Sequence, residues 1–362
     1  MMPRSGRAAM AQSKSQPGAS RTRQADVAKA AGVSQATVSM VLSGRKSTRI
    51  SEETRQRILG LSGSLGYSAN PAARSLAGGK NRILGVFTYE PTFPIAGLDQ
   101  YYPFLLGIES EAERLQQNLL LFTSASSGGA GSPRSIYAGS VNQLGIADGS
   151  ILLGRGEDRD EVARLSKEGY PFVYIGRREI KNARISWVTA DYESATYEVM
   201  TRLAELGHRK LFYVGVPVPE EPNLDRFAGW QRALDDHGMT GSVDRSADGA
   251  DLEAELGAQI NAGATAIIVE TPENGARVFR VIKKLGLDVP GEVSVAVLGD
   301  MAIPRGRKQS WSGFDMPFGD IGAEAVRLLV ELISDRTAGP RTLKLPCTAR
   351  PGRTIGRPPA RR

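Results

Sequence analysis

Three observations predict an all-α helix-turn-helix headpiece followed by an α/β core of two lobes built on parallel sheets. Residues 24–66 carry three short helical patterns with capping signals at their ends. From residue 82 onward, short β-branched runs alternate with amphipathic helical stretches, the pattern of parallel sheets covered on both faces. The alternation comes in two series, which predicts two similar lobes with a cleft between them. A length of 362 residues suits two or three domains.

In the headpiece, Gln24-Ala-Asp-Val-Ala-Lys-Ala-Ala31 predicts a helix with Val27, Ala28 and Ala31 on a common face. Gly32-Val33 predicts a tight turn, and Ser34 caps a second helix with Val38, Val41 and Leu42 inward. A third helix starts at Ser51, places Glu52 and Glu53 where the helix dipole favours them, and ends at Gly66. Helix, short glycine-containing turn, helix is the pattern whose second helix enters the DNA major groove. Asn70-Pro71 and Gly78-Gly79 can start and stop a further short helix. Two turns cannot stand alone in water, because nucleation is costly, so this helix is expected to fold against a partner.

The core strands are expected at 83–88, 119–123, 151–153 and 172–175, then at 211–215, 266–269 and 293–298. Helices are expected near 103–117, 135–144, 158–167, 194–206, 223–237, 252–261 and 274–285.

Composition narrows the function. The net charge of +7 conceals +10 on residues 1–80 and +7 on the last 22, which leaves −10 for residues 81–340. A basic head on an acidic body is the electrostatic footprint of a nucleic-acid binder. Residues 1–20 read as a disordered basic arm, without the continuous apolar core of a secretory signal. The single Cys347 excludes an internal disulfide and fits a reducing, cytoplasmic compartment. No 18-residue apolar run exists to span a membrane. His208 and His237 have no metal-ligand neighbours at useful spacing, so neither a metal nor another cofactor is expected. Gly128-Gly-Ala-Gly-Ser132 lacks the lysine of a phosphate-binding loop, and no Gly-x-Ser-x-Gly elbow occurs, so no enzyme is expected.

Asp26-Val-Ala-Lys-Ala-Ala-Gly-Val-Ser-Gln-Ala-Thr-Val-Ser39, Ile50-Ser-Glu-Glu-Thr-Arg55, Leu65-Gly-Tyr67 and Asn70-Pro-Ala-Ala-Arg-Ser-Leu76 together resemble the headpiece of the lactose-repressor (LacI) family. Weaker matches continue to about residue 330. The resemblance implies a type I periplasmic-binding-protein-like core and a repressor that binds a pseudo-palindromic operator as a dimer. It divides the chain into an arm (1–20), a headpiece (21–68), a hinge helix (69–80), the two-lobe core and a basic tail (351–362). The first lobe is expected at about 81–188 and 313–338, the second at about 189–312 and 339–350.

The resemblance also implies site residues. Gln35, Ala36 and Met40 match the base-reading positions; Gln can pair bidentately with adenine, and Ala can meet a thymine methyl. Met40 departs from the polar or basic residue common there. Thr37, Ser39, Ser51 and Asn70 can donate to phosphates, and Arg49 closes a cationic loop beside the backbone. Leu76, flanked in the hinge by Arg74 and Ala77, matches the leucine that wedges into a base step and kinks the duplex. For a small-molecule effector, expected to be a sugar or related metabolite, the implied contacts are Tyr89, Asp191, Arg226 and Asp300. Two departures stand out: the family's Asn-Asp after the strand at 267–269 is Thr271-Pro272, and its later Asp-Asp is Gly299-Asp300. An extracytoplasmic sugar-binding protein would share the core but not residues 24–79, and an effector-independent regulator would share both.

Overall fold

The computed structural model describes residues 22–42, 50–67, 81–90, 101–123, 134–156, 158–246, 252–299 and 311–360. These fall into two compact units, residues 1–81 and 82–362.

The smaller unit is a three-helix cluster of α1 (Gln24–Ala31), α2 (Gln35–Leu42) and α3 (Glu52–Ser64). Val27, Ala28, Ala31, Val38, Val41 and Ile58 close its core, with Leu42 half-buried beside them. Gly32 ends α1 at φ 63°, a left-handed conformation that only glycine adopts freely, and this turns the chain within three residues. Ser34 Oγ then accepts from Thr37 N at 3.1 Å, and Ser51 Oγ from Thr54 N at 3.2 Å, so both following helices are capped as the sequence predicts.

The larger unit holds two six-stranded sheets. The first is wholly parallel, in the order β13 (Thr342–Leu345), β7 (Ser186–Ala190), β6 (Phe172–Ile175), β5 (Gly149–Leu153), β1 (Ile83–Thr88) and β2 (Asn118–Phe122). The second runs β14 (Thr348–Arg350), β12 (Ser312–Asp315), β11 (Ser294–Val297), β10 (Ala266–Val269), β8 (Lys210–Val214) and β9 (Thr240–Asp244), with β14 alone antiparallel. Strands β5, β6, β10 and β11 are buried at every position, which is why they read as continuous apolar runs.

Helices α4 (Tyr102–Arg114), α5 (Arg159–Lys167) and α10 (Phe318–Ser334) belong with the first sheet. Helices α6 (Tyr192–Leu206), α7 (Glu221–Asp236), α8 (Leu252–Asn261) and α9 (Pro272–Lys284) belong with the second. In each lobe one helix pair meets backbone to backbone at glycine. A Cβ on Gly322 of α10 would lie 2.3 Å from Phe104 O of α4, and one on Gly229 of α7 would lie 2.2 Å from Glu193 O of α6.

Four expectations need correction. Residues 135–144 are not a helix: they form a two-stranded hairpin, β3 (Tyr137–Ala138) with β4 (Val141–Asn142), and enter a 3-10 turn at Gln143–Ile146. Gly139 at φ 60° makes the hairpin turn, and the Asn142 side chain caps the 3-10 turn. Residues 313–315 lie in β12 of the second sheet, so the return to the first lobe starts at Met316, just before α10. Residues 342–345 pair with β7 of the first sheet, so the chain after Gly339 visits the first lobe before ending in the second. The expected basic tail packs on the second lobe: Thr354 is buried and donates to Val295 O at 2.6 Å. His208, fully buried, bonds Gly356 O at 2.9 Å and Thr265 at 2.8 Å, and so holds this final segment down.

Candidate DNA-binding face and inter-lobe cleft

The start of α2 is the exposed part of the headpiece. Gln35 and Ala36 are exposed, Thr37 and Ser39 half-exposed, and Met40 36% exposed, while Val38 and Val41 face the core. This follows from helical spacing: with 38 and 41 buried, positions 35, 36, 39 and 40 point away. Thr37 and Ser51 also serve the helix caps, since Thr37 Oγ1 lies 2.9 Å from Ser34 Oγ and Ser51 caps α3. Arg49, Asn70, Arg74, Leu76 and Ala77 lie outside the described residues, as does Asp300.

Between the lobes of the larger unit is a cavity of about 400 Å³, at the carboxyl ends of the strands, where ligands bind in open α/β folds. Of the effector residues implied by the sequence, Arg226 lines it. The residue is 6% exposed; its guanidinium lies 4.0 Å over the Tyr192 ring and donates from Nε to Leu298 O at 2.9 Å and from Nη1 to Pro222 O at 3.0 Å, with Nη2 3.9 Å from Met316 Sδ. Tyr89 and Asp191 do not line the cavity. Tyr89 is buried edge-on against Phe87, 4.9 Å away, because it continues the buried face of β1. Asp191 caps α6, accepting from Ser194 N at 3.2 Å, and its own N–H donates to Leu345 O. Thr271 and Pro272 line the wall as the N-cap and first residue of α9.

Sequence reasoning missed a set of charges joining the lobes, of which Arg178 and Glu220 line this cavity. Arg177, after β6, holds Asp225 of α7 with two nitrogens, at 2.9 and 3.1 Å. Arg159 of α5 meets Glu221 at 2.9 Å, and Glu179 N donates to the same carboxylate at 3.0 Å. Burial pushes Glu221 up, but the Glu179 N–H and Arg159 outweigh it and hold the carboxyl below the usual range. Arg178 lies 3.8 Å from Glu220 and donates to Gly154 O at 3.0 Å. The available signal was Arg177-Arg178-Glu179, three consecutive charges directly after a buried strand.

A helix-turn-helix unit followed by a two-lobe cleft domain is the architecture of a class of DNA-binding regulators. The chain matches bacterial regulatory proteins of the lacI family over residues 25–70 and the periplasmic binding protein-like domain over residues 200–355. In both parts, and in the same order, the chain is similar to LacI-family transcriptional regulators, DNA-binding proteins that are not enzymes. Catabolite control protein A of Priestia megaterium is 29% identical over 329 residues, covering 89% of this chain and 95% of its own. The HTH-type transcriptional regulator CelR of Thermobifida fusca is 26% identical over 328 residues, covering 88% and 94%. In fold, the lac repressor dimer bound to operator and the anti-inducer ONPF is similar at a TM-score of 0.65 and 21% identity, covering 92% of this chain and 99% of that one. A CelR–cellobiose complex is similar at 0.61 and 23%, covering 92% and 100%. Among the described residues, no helix is long and apolar enough to cross a membrane.

Proposed function

We propose that this chain represses transcription as a homodimer on a pseudo-palindromic operator, under the control of a small-molecule effector held between the lobes. The observation that carries the first part is the exposed start of α2, where Gln35, Ala36 and Met40 stand clear of a closed helical core. Gln35 reads adenine, Ala36 meets a thymine methyl, and Met40 offers an apolar contact; Thr37, Ser39, Ser51, Arg49 and Asn70 bind phosphates. Leu76, with Arg74 and Ala77 beside it, wedges into the central step. A symmetric partner supplies the second half-site. The solved lac repressor, a dimer on its operator, supports this arrangement by analogy.

The cleft supports effector control because the chain crosses between the sheets at Asp191, at Met316-Pro317 and at Pro346-Cys347. A ligand that sets the lobe angle would change the spacing of the two headpieces, and operator would alter effector affinity by the same factor. Tyr89 and Asp191 have no place in this reading; Arg226 does, with Asp300 as its candidate neighbour from the second lobe.

Selection of random duplexes by the full chain tests it. An inverted repeat should be enriched, and Gln35→Ala should relax the preference at one symmetric position by about 1–3 kcal/mol. Leu76→Ala should remove bending in a phasing gel. Enrichment of no sequence would refute the reading.

A further inference from the structure

We propose that the cleft takes an organic monocarboxylate with an apolar body, aromatic or alkyl, rather than a polyhydroxylated sugar; this rests on the effector reading above. The first ground is charge. Arg226 is buried, and the bonds of its Nε and Nη1 go to two neutral backbone carbonyls. Among the described residues no carboxylate lies within ion-pair distance of it. Asp225 is drawn to Arg177, and Glu220 lies nearer Arg178 and closes the cap of α7. Among the described residues, which do not include Asp300, the buried guanidinium has no counter-charge; that is costly, and an anionic ligand removes the cost.

Position 299 sharpens the point. A Cβ built there would lie 3.5 Å from Arg226 Nη2, so a side chain at 299 would start beside the guanidinium. The residue is glycine, at φ 129°, and supplies nothing.

The second ground is an unpartnered hydroxyl. Thr189 Oγ1, at the end of β7, lines the same cavity from the first lobe, is buried, and has no hydrogen-bond partner. One carboxylate oxygen on Arg226 and the other accepting from Thr189 would satisfy a group on each lobe. The ligand would thereby join the two.

The third ground is the wall. Tyr101, Phe104 and Phe318 from the first lobe, Tyr192, Val216 and Pro272 from the second, and Met316 at a crossing between them line the cavity. A sugar needs an acceptor or donor for each hydroxyl, whereas the acids here are few. Of the lining acids, Glu220 is engaged as above and Glu273 sits in the first turn of α9. Arg155, Arg178 and Arg226 outnumber the two lining glutamates. The amino ends of α7 and α9 also point into the cavity, with their positive dipole ends. Nε and Nη1 of Arg226 bond backbone carbonyls and Nη2 lies 3.9 Å from Met316 Sδ, a weak acceptor, so few of its five donors remain, which suits a carboxylate better than a phosphate dianion.

The test uses the full chain and calorimetric titration with benzoate and octanoate, each beside its primary amide. Glucose, cellobiose and glucose 6-phosphate are titrated in parallel. A carboxylate should bind about tenfold or more tightly than its amide. Arg226→Gln should abolish that discrimination. Thr189→Val keeps the side-chain volume, removes the hydroxyl, and should weaken the carboxylate about fivefold. Equal binding of carboxylate and amide, or discrimination that survives both substitutions, overturns the proposal. Binding of a sugar or sugar phosphate alone overturns it and leaves the effector reading standing. No binding by any compound removes both.

Discussion

The two lobes share a construction and differ at the surfaces they turn towards each other. Each is a six-stranded sheet flanked by helices, and each has one helix pair meeting at glycine: Gly322 against Phe104 O in the first, Gly229 against Glu193 O in the second. At the cleft the symmetry stops. The first lobe presents Arg159, Arg177 and Arg178, and the second answers with Glu221, Asp225 and Glu220. Packing rules dictate the scaffold and so repeat, whereas the facing charges need only complement each other. Where cleft function is concerned, likeness between the lobes is therefore uninformative.

The largest expected effect tests the shared construction. Gly322→Val and Gly229→Val each place a side chain against backbone that cannot retreat, and each should cost more than about 3 kcal/mol. Urea unfolding would measure both, and tolerance of one alone would show that the lobes are not built alike. Next comes the charged junction. Arg177 and Asp225 are 16% and 11% exposed, so Asp225→Asn, which leaves the guanidinium only the exposed Glu179 carboxylate, should destabilise by about 2 kcal/mol. The same variant should open the cleft, seen as a larger radius of gyration by small-angle scattering. No change in either quantity would mean that the junction holds nothing.

Acid should separate the lobes more gently. Burial lowers the pKa of His208 in the second lobe, so its contribution is complete above the unfolded value of about 6.5 and is lost as pH falls below it. In the first lobe, hydrogen bonds from Arg114 and then Arg327 hold Glu111 at about 2. Its stabilisation is present above the unfolded value of about 4.5 and fades only as pH falls towards 2. Between pH 7.5 and 5.5, protection factors, which divide out the slowing of intrinsic exchange in acid, should therefore fall in β8, β10 and β11 and not in β1, β5 and β6. A uniform fall in protection would contradict the assignment. The smallest effect is a control: Ser34→Ala removes a cap worth about 1 kcal/mol to the headpiece and should leave both lobes unchanged.

What was legible in the sequence follows from the same contrast. Strands 83–88, 172–175 and 266–269 fall where their buried β-branched runs predict, and α1 spans its predicted residues. Edge strands β9, β13 and β14 were not legible, because they are only partly buried and carry no apolar run. Residues 135–144 misled because Ile136, Tyr137 and Leu144 are buried at spacings that a helix would also give. In the cleft, Arg226 was found through its resemblance to a family motif. Arg178 and Thr189 were not found, since residues gathered at strand ends obey no period along the chain. Tyr89, just after β1, and Asp191, at a crossing point, are the reverse case, placed at strand ends yet used for packing and capping.

The central claim is that the cleft and the DNA-binding helix belong to one coupled device. Hydrogen exchange of the full chain, with and without its selected duplex, tests this without knowledge of the effector. Duplex should protect residues 24–64 and also change exchange at 153–155, 216–226 and 271–273, which line the cleft. Protection confined to residues 24–64, with the cleft segments unaltered, would contradict the account.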